Sequence, residues 1–140
     1  MSGGLEHEDV PTLPADRRRA LATEENPAPA LDYLVEIGGR VTERSFSIHL
    51  RYIPDKLLLV PASFDAYLSG LSQQADDRPE TAALTIVDDV NNEVVPRWVQ
   101  VEVTADGSGA SPAQAGHRVV VEDRQPNWDN PRLMARLPRL

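Results

Sequence analysis

The 140-residue sequence contains no cysteine. Disulfide bonds, thiolate metal ligands and thiol nucleophiles are therefore excluded together. Histidine is almost as scarce. The sequence has three, and only His49 and His117 lie outside the first 30 residues. A zinc site built from histidines needs a tight group of three ligands, and the spacing of His7, His49 and His117 offers no such group. We therefore expect no bound metal.

The sequence also lacks the long apolar runs of membrane proteins and the positive charge of nucleic-acid-binding proteins. No run approaches the roughly 18 apolar residues of a membrane span, and the start has no signal-peptide core. The net charge of −8 and the pI of about 4.8 disfavour a phosphate backbone as partner, despite the short basic run at Arg17–Arg19. We expect a soluble, cytoplasmic protein that binds neither membranes nor nucleic acids.

Length and composition predict one domain with extended ends. A chain of 140 residues is long enough for a single core, and its 12 prolines lie mostly outside the strongly patterned middle. Residues 1–30 are polar, acidic and proline-bearing, which predicts a flexible N-terminal arm. We place the folded domain at residues 31–124 and a C-terminal tail at residues 125–140.

Alternating apolar residues predict four strands. The clearest is Ser45–Ile53, in which an apolar face alternates with a polar face carrying His49 and Arg51. The other strands are expected over Leu31–Val41, Trp98–Thr104 and His117–Glu122. In the first strand, Gly38 and Gly39 predict a bulge or turn with positive φ.

Apolar residues at helical spacing predict two helices between the second and third strands. The first is expected over Pro61–Gln73, with a stripe of Phe64, Tyr67, Leu68 and Leu71. The second is expected over Pro79–Val94, with a stripe of Ala83, Leu84, Val87, Val90 and Val94. Its solvated face is expected to carry Asp88, Asp89 and Glu93.

The predicted order is therefore strand, strand, helix, helix, strand, strand. Strands and helices grouped in this way are typical of an α+β fold, here an antiparallel four-stranded sheet with both helices on one face. The edge strands of such a sheet are open, so we expect a homo-oligomer joined through its sheet edges.

Five stretches of the sequence resemble, in the same order, the QueF family of NADPH-dependent reductases, which convert the nitrile 7-cyano-7-deazaguanine to an amine in queuosine biosynthesis. They are ENPAPALDYLVEI (25–37), IHLRYIPDKLLL (48–59), SFDAYL (63–68), ETAALTI (80–86) and PRWVQV (96–101). The resemblance covers roughly residues 26–103. It implies the tunnelling fold, or T-fold, in which subunits join their sheets into a barrel and bind planar purine- or pterin-like ligands between subunits.

The positions that carry the family's chemistry differ in this chain. Where the resemblance places a nucleophilic cysteine and a nearby acid, the segment Gly38–Ser45 is shorter, lacks cysteine and has Arg44 about where the acid is expected. Two lysines associated with cofactor recognition correspond to Ala62 and Asp65, and Gly70–Gln73 replaces a Phe-Arg-Asn pattern. A thioimide intermediate needs a thiolate. We therefore expect neither nitrile reduction nor an NADPH cofactor.

Glu80 is the first candidate site residue, and it is what remains of a family His-Glu pair. In the resembled families, a glutamate at the start of this helix accepts hydrogen bonds from the amino and ring N–H groups of the heterocycle. Two carboxylate oxygens that face two N–H donors discriminate strongly between ligands. An analogue without these donors would leave the carboxylate charge unpaired. The alternative is that an acid in a first helical turn only complements the helix dipole.

Four further residues are candidates. His49 is an acid–base candidate together with Glu80. Arg44 and Arg51 offer positive charge to an anionic ligand near the shortened loop. Trp98, opposite the valine face of its strand, is a candidate for stacking on a ligand or on a neighbouring subunit.

Together these features predict a QueF-like protein without the reductase cysteine or the NADPH-binding lysines. It is expected to bind a purine-, 7-deazapurine- or pterin-like heterocycle at a subunit interface, and any reaction on that ligand is expected to be non-redox and cofactor-independent. Two alternatives stay open. One is a non-catalytic scaffold or partner subunit that contacts another protein, and the other is a residual reductase that uses a residue from another chain.

Overall fold

The computed structural model describes residues 17–74, 76–106, 113 and 116–138. Within these residues, the chain forms six strands and three α-helices. In chain order they are β1 Thr23–Glu25, β2 Val35–Val41, β3 Phe46–Ile53, β4 Leu57–Leu59, α1 Pro61–Leu71, α2 Pro79–Glu93, β5 Trp98–Ala105, β6 Arg118–Arg124 and α3 Pro131–Arg136. In this part of the chain no helix has the length and apolar character needed to cross a membrane.

Four strands form one antiparallel sheet, in the spatial order β2-β3-β5-β6. Along β3, Phe46, Ile48, Leu50 and Tyr52 point to one face and are buried in the core. Helix α1 packs against β2, and helix α2 packs against β5 and β6, around the same core. The expected α+β class is confirmed.

The opposite face of the sheet is mainly polar, and we call it the outer face. It carries the residues that alternate with the core positions. In β3, β5 and β6 these include Ser47, His49, Arg51, Trp98, Gln100, Glu102, Arg118, Val120 and Glu122. The outer face is therefore where most of the charged side chains of the sheet lie.

Gly39 packs closely against helix α1. The bulge that was expected at Gly38 and Gly39 is absent from β2. Gly38 and Gly39 pair in regular register with His49 and Ile48. A Cβ atom on Gly39 would lie 2.5 Å from Cδ1 of Leu68, so a side chain there would collide with α1. The turn between β2 and β3 is correspondingly short, a 3₁₀ helix at Thr42–Arg44 followed by one left-handed residue.

Four of the five side chains expected to face the core from helix α2 do so, namely Ala83, Val87, Val90 and, at its C-cap, Val94. Its buried apolar side chains are Ala82, Ala83, Ile86, Val87 and Val90. Leu84, which was expected in this stripe, is 58% exposed. The buried positions recur every three or four residues, from Ala83 through Ile86 to Val90. Leu84 is rotated about 100° around the helix axis from Ala83, so its side chain faces solvent.

The described part of the N-terminal arm packs against the domain. Strand β1 pairs antiparallel with β4, and Leu21 is buried in the core at 6% exposure. Residues 17–30 are thus part of the folded unit, although the sequence analysis placed residues 1–30 in a flexible arm. Residues 1–16, which include His7, lie outside the described residues.

The C-terminal segment also folds back onto the domain. Trp128 Nε1 and Asn130 Nδ2 donate hydrogen bonds to Asp32 Oδ2, at 3.1 and 2.9 Å. The side chain of Asn130 caps α3 by accepting from the backbone N–H of Leu133. This helix was not expected from the sequence, and it begins a segment that crosses the outer face.

A buried polar network links α1, α2 and the N-terminal segment. The Tyr67 hydroxyl donates to Asp89 Oδ2 at 2.5 Å, and Arg17 Nε donates to the same oxygen at 2.6 Å. Asp89 is 0% exposed, so its expected position on the solvated face of α2 is wrong. Burial and the adjacent Asp89 charge raise the pKa of the Tyr67 phenol far above its usual value. The phenol therefore stays protonated and donates to the carboxylate.

Candidate functional site

Glu80 lies in the first turn of α2, directly after Pro79. Its side chain is half-exposed, and Oε2 lies 3.0 Å from Nε2 of His117, the residue that precedes β6. The histidine therefore connects the start of α2 to the edge strand of the sheet. Sequence reasoning considered Glu80 and His117 separately, because they are far apart along the chain.

The environment of Glu80 favours its ionised form. The pKa of the Glu80 carboxyl is lowered mainly by a hydrogen bond from its own backbone N–H at the start of the helix. The hydrogen bond from His117 lowers it further. The preceding turn is fixed by Asp76, which accepts hydrogen bonds from Arg78 and from the hydroxyl of Thr81. At neutral pH, Glu80 is thus an exposed carboxylate on a well-fixed helix start, able to accept hydrogen bonds from a ligand.

The second acid–base candidate, His49, belongs to a separate cluster on the outer face. Its Nε2 lies 2.8 Å from Glu36 Oε1, and its Nδ1 lies 4.0 Å from Glu102 Oε1. Arg118 Nε in turn donates to Glu102. Because α2 packs on the other face of the sheet, His49 and Glu80 do not share one site within a single chain. No group of three or more metal-ligating side chains occurs among the described residues.

Arg44 is engaged with the protein itself. Its Nη2 donates to the backbone carbonyls of Ser72, at 3.1 Å, and of Gln74. These carbonyls follow the end of α1, where a positive charge complements the helix dipole. The guanidinium therefore anchors the β2–β3 turn to α1, and Asp77 lies 3.9 Å from it.

Arg51 and Trp98 are brought together on the outer face. Arg51 is 4% exposed, and its Nε and Nη2 donate to Gln100 Oε1 at 2.9 and 2.6 Å. Its Nη1 donates to the carbonyl of Pro138 at 2.8 Å, and the guanidinium lies 5.7 Å from the centre of the Trp98 ring. The indole N–H of Trp98 donates to Glu122.

These two residues line a cavity of about 390 Å³ between the outer face and the C-terminal segment. Its polar lining comes from β3, β5 and β6, and includes Arg118 and Glu122. Its apolar lining is formed by Val120, Met134, Leu137 and Pro138. Glu80 is not among the residues that line this cavity, so the expected ligand-binding residues divide between two places.

Arg97 is a residue whose importance the sequence analysis missed. Its guanidinium donates to Asp32 Oδ1 and Asp55 Oδ1, both at 3.1 Å, and to the carbonyl oxygens of Pro29, Leu31 and Pro54. Asn26 joins the same region, because its Nδ2 donates to the carbonyl of Asp55 at 2.7 Å. Three stretches that carry the family resemblance therefore meet here and hold one another in place.

Comparison with known proteins gives one relative that agrees with the motifs. No family model matches the chain. The chain is similar to the NADPH-dependent 7-cyano-7-deazaguanine reductase of Nitrosococcus oceani, with 27% identity over 137 residues. The similarity covers 90% of this chain and the full length of that relative. It therefore extends beyond the motif region and supports a QueF-like relationship.

Proposed function

We propose that this chain is a QueF-like protein that binds a purine-, 7-deazapurine- or pterin-like heterocycle through Glu80. The observation that carries the proposal is the exposed, ionised Glu80 carboxylate held by His117 at the start of α2. Its two oxygens can accept hydrogen bonds from adjacent amino and ring N–H groups. The compound 7-cyano-7-deazaguanine, after which the relative is named, carries such a pair of donors.

The proposed site is completed by a second copy of the chain in a tunnelling-fold assembly. Strands β2 and β6 form the two edges of the four-stranded sheet, which makes edge-to-edge pairing of subunits possible. Leu84, which is 58% exposed, lies one helical turn from Glu80 and adds apolar surface beside the carboxylate. A neighbouring subunit that covers this surface would enclose the ligand.

The residues of this chain do not fit the reductase chemistry of the family. The sequence has no cysteine to form a thioimide. The segment Val60–Asp65, which corresponds to the family's basic stretch, has no basic residue, and its Ser63 hydroxyl is bonded to the carbonyl of Val60. We therefore expect NADPH oxidation with 7-cyano-7-deazaguanine to stay at background when measured spectrophotometrically. Turnover by the pure protein would restore the residual-reductase alternative.

Thermal unfolding with a ligand panel tests the binding proposal. We expect 7-cyano-7-deazaguanine or a related purine or pterin to raise the melting temperature of the wild-type protein. Ligand at about 100 times Kd stabilises the folded state by about 2.7 kcal/mol, which is readily measured. The Glu80→Gln variant should lose this rise, because the neutral amide offers one acceptor and presents its own N–H groups to the ligand donors.

Glu93→Gln is the matched control, since Glu93 lies at the other end of α2. This variant should keep the ligand-dependent rise in melting temperature. A rise that survives Glu80→Gln would show that the anchor is elsewhere. The absence of any rise across the panel would favour the alternative, a non-catalytic scaffold or partner subunit.

A further inference from the structure

The cavity on the outer face is independent of the Glu80 site. The C-terminal segment crosses the sheet and forms one wall of a solvent-open cavity over β3, β5 and β6, with Met134, Leu137 and Pro138 on that side. The other side is formed by the sheet, where Arg51 and Trp98 are 4% and 1% exposed. A buried arginine beside an aromatic ring, in a cavity of about 390 Å³, has the size and mixed character of a small-molecule site.

The hydrogen bonds of Arg51 show what kind of group this site suits. The Arg51 guanidinium carries five N–H donors, and its bonds to Gln100 and Pro138 use three of them within the described residues. The remaining two N–H groups are on Nη1 and Nη2 of a side chain that lines the cavity. A planar carboxylate matches two guanidinium N–H donors better than any neutral group does.

Two further features favour a negatively charged, partly apolar ligand. Arg118 also lines the cavity, and although its Nε donates to Glu102, the lining itself contains two arginines and one carboxylate, that of Glu122. The apolar wall, which includes Val120 and Met134, suits a flat hydrocarbon body. We propose that this cavity binds a small, flat organic carboxylate, with the carboxylate on Arg51 and the body against the apolar wall.

The two tryptophans provide a test with an internal control. Trp98 lines the cavity, whereas the indole N–H of Trp128 is bonded to Asp32, in a different part of the fold. In ¹H–¹⁵N NMR spectra of the full chain, titration with benzoate should shift the Trp98 indole signal saturably and leave the Trp128 signal in place. Benzamide, a neutral molecule of similar shape, should bind at least about tenfold more weakly at the same ionic strength.

Val120→Trp should block the site without removing a buried group, because Val120 is 43% exposed on an edge strand. It should weaken benzoate binding by at least about tenfold. Ala66→Trp, which adds a tryptophan at an exposed position of α1 that does not line the cavity, should leave benzoate binding unchanged. The proposal is overturned if the Trp98 signal does not shift or if benzamide binds as well as benzoate. It is also overturned if Val120→Trp binds benzoate normally while the other signals of this variant show an intact fold.

Discussion

Asp89→Ala is expected to lower the free energy of unfolding by about 3 kcal/mol, because it removes the fully buried partner of a part-buried arginine. Asp89 is fully buried and the Arg17 side chain is 10% exposed, so solvent replaces little of the lost interaction. The same substitution also removes the acceptor of the buried Tyr67 hydroxyl. Urea denaturation measures the loss, which is a large share of the roughly 5–15 kcal/mol that stabilises a typical domain.

Two neighbouring variants make this result specific. Asp88→Ala changes the adjacent, exposed aspartate of the same helix and should alter the free energy of unfolding by no more than about 0.5 kcal/mol. Asp89→Asn keeps a side-chain oxygen for Tyr67 or Arg17 and should fall between the two alanine variants. Equal effects of Asp88→Ala and Asp89→Ala would show that the buried network contributes nothing to stability.

Arg97→Ala is expected to lower the free energy of unfolding by about 3 kcal/mol, since charged hydrogen bonds contribute about 1.5–3 kcal/mol each and are not additive. The Arg97 side chain is 17% exposed, and its loss leaves Asp32 and Asp55 without their shared cation. Three backbone carbonyls lose a donor as well. Urea denaturation again gives the magnitude, and hydrogen exchange should show faster opening of the segment around Pro29–Asp32.

The comparison with Arg97→Lys tests whether geometry or charge matters. A lysine ammonium has three donors at one point and cannot reach all five acceptors, so it should recover less than half of the lost stability. Arg124→Ala is the surface control, because its ion pairs with Glu122 and Asp129 are longer and exposed, and it should cost less than about 1 kcal/mol. Full recovery by lysine would mean that the arginine fork is not required.

The elements that the sequence predicted well are those whose side chains alternate between core and solvent. Strand β3 and helix α1 were predicted within about two residues, because burial of one face imposes a period on the sequence. The β1–β4 pair gave no such signal, since all three residues of β1 are exposed and are held by backbone hydrogen bonds. Short pieces of this kind are set by tertiary contacts.

The site was less accessible to sequence reasoning for a related physical reason. The sequence marked Glu80 through the family resemblance, but its pairing with His117 depends on how α2 packs beside β6. Asp89 was predicted to be solvated because a carboxylate is normally exposed, and its arginine partner lies 72 positions away along the chain. Long-range polar contacts leave no periodic pattern, so Asp89 and Arg97 became recognisable only in the folded structure.

His117, the histidine bonded to Glu80, reports on whether Glu80 anchors a heterocycle. The ring signals of His117 and His49 can be followed by ¹H–¹³C NMR while 7-cyano-7-deazaguanine is added. We expect a saturable shift of the His117 signals, loss of that shift in Glu80→Gln, and unchanged His49 signals, because His49 lies on the outer face. A His117 signal that stays in place at saturating ligand, or that shifts equally in Glu80→Gln, would show that Glu80 does not hold the ligand.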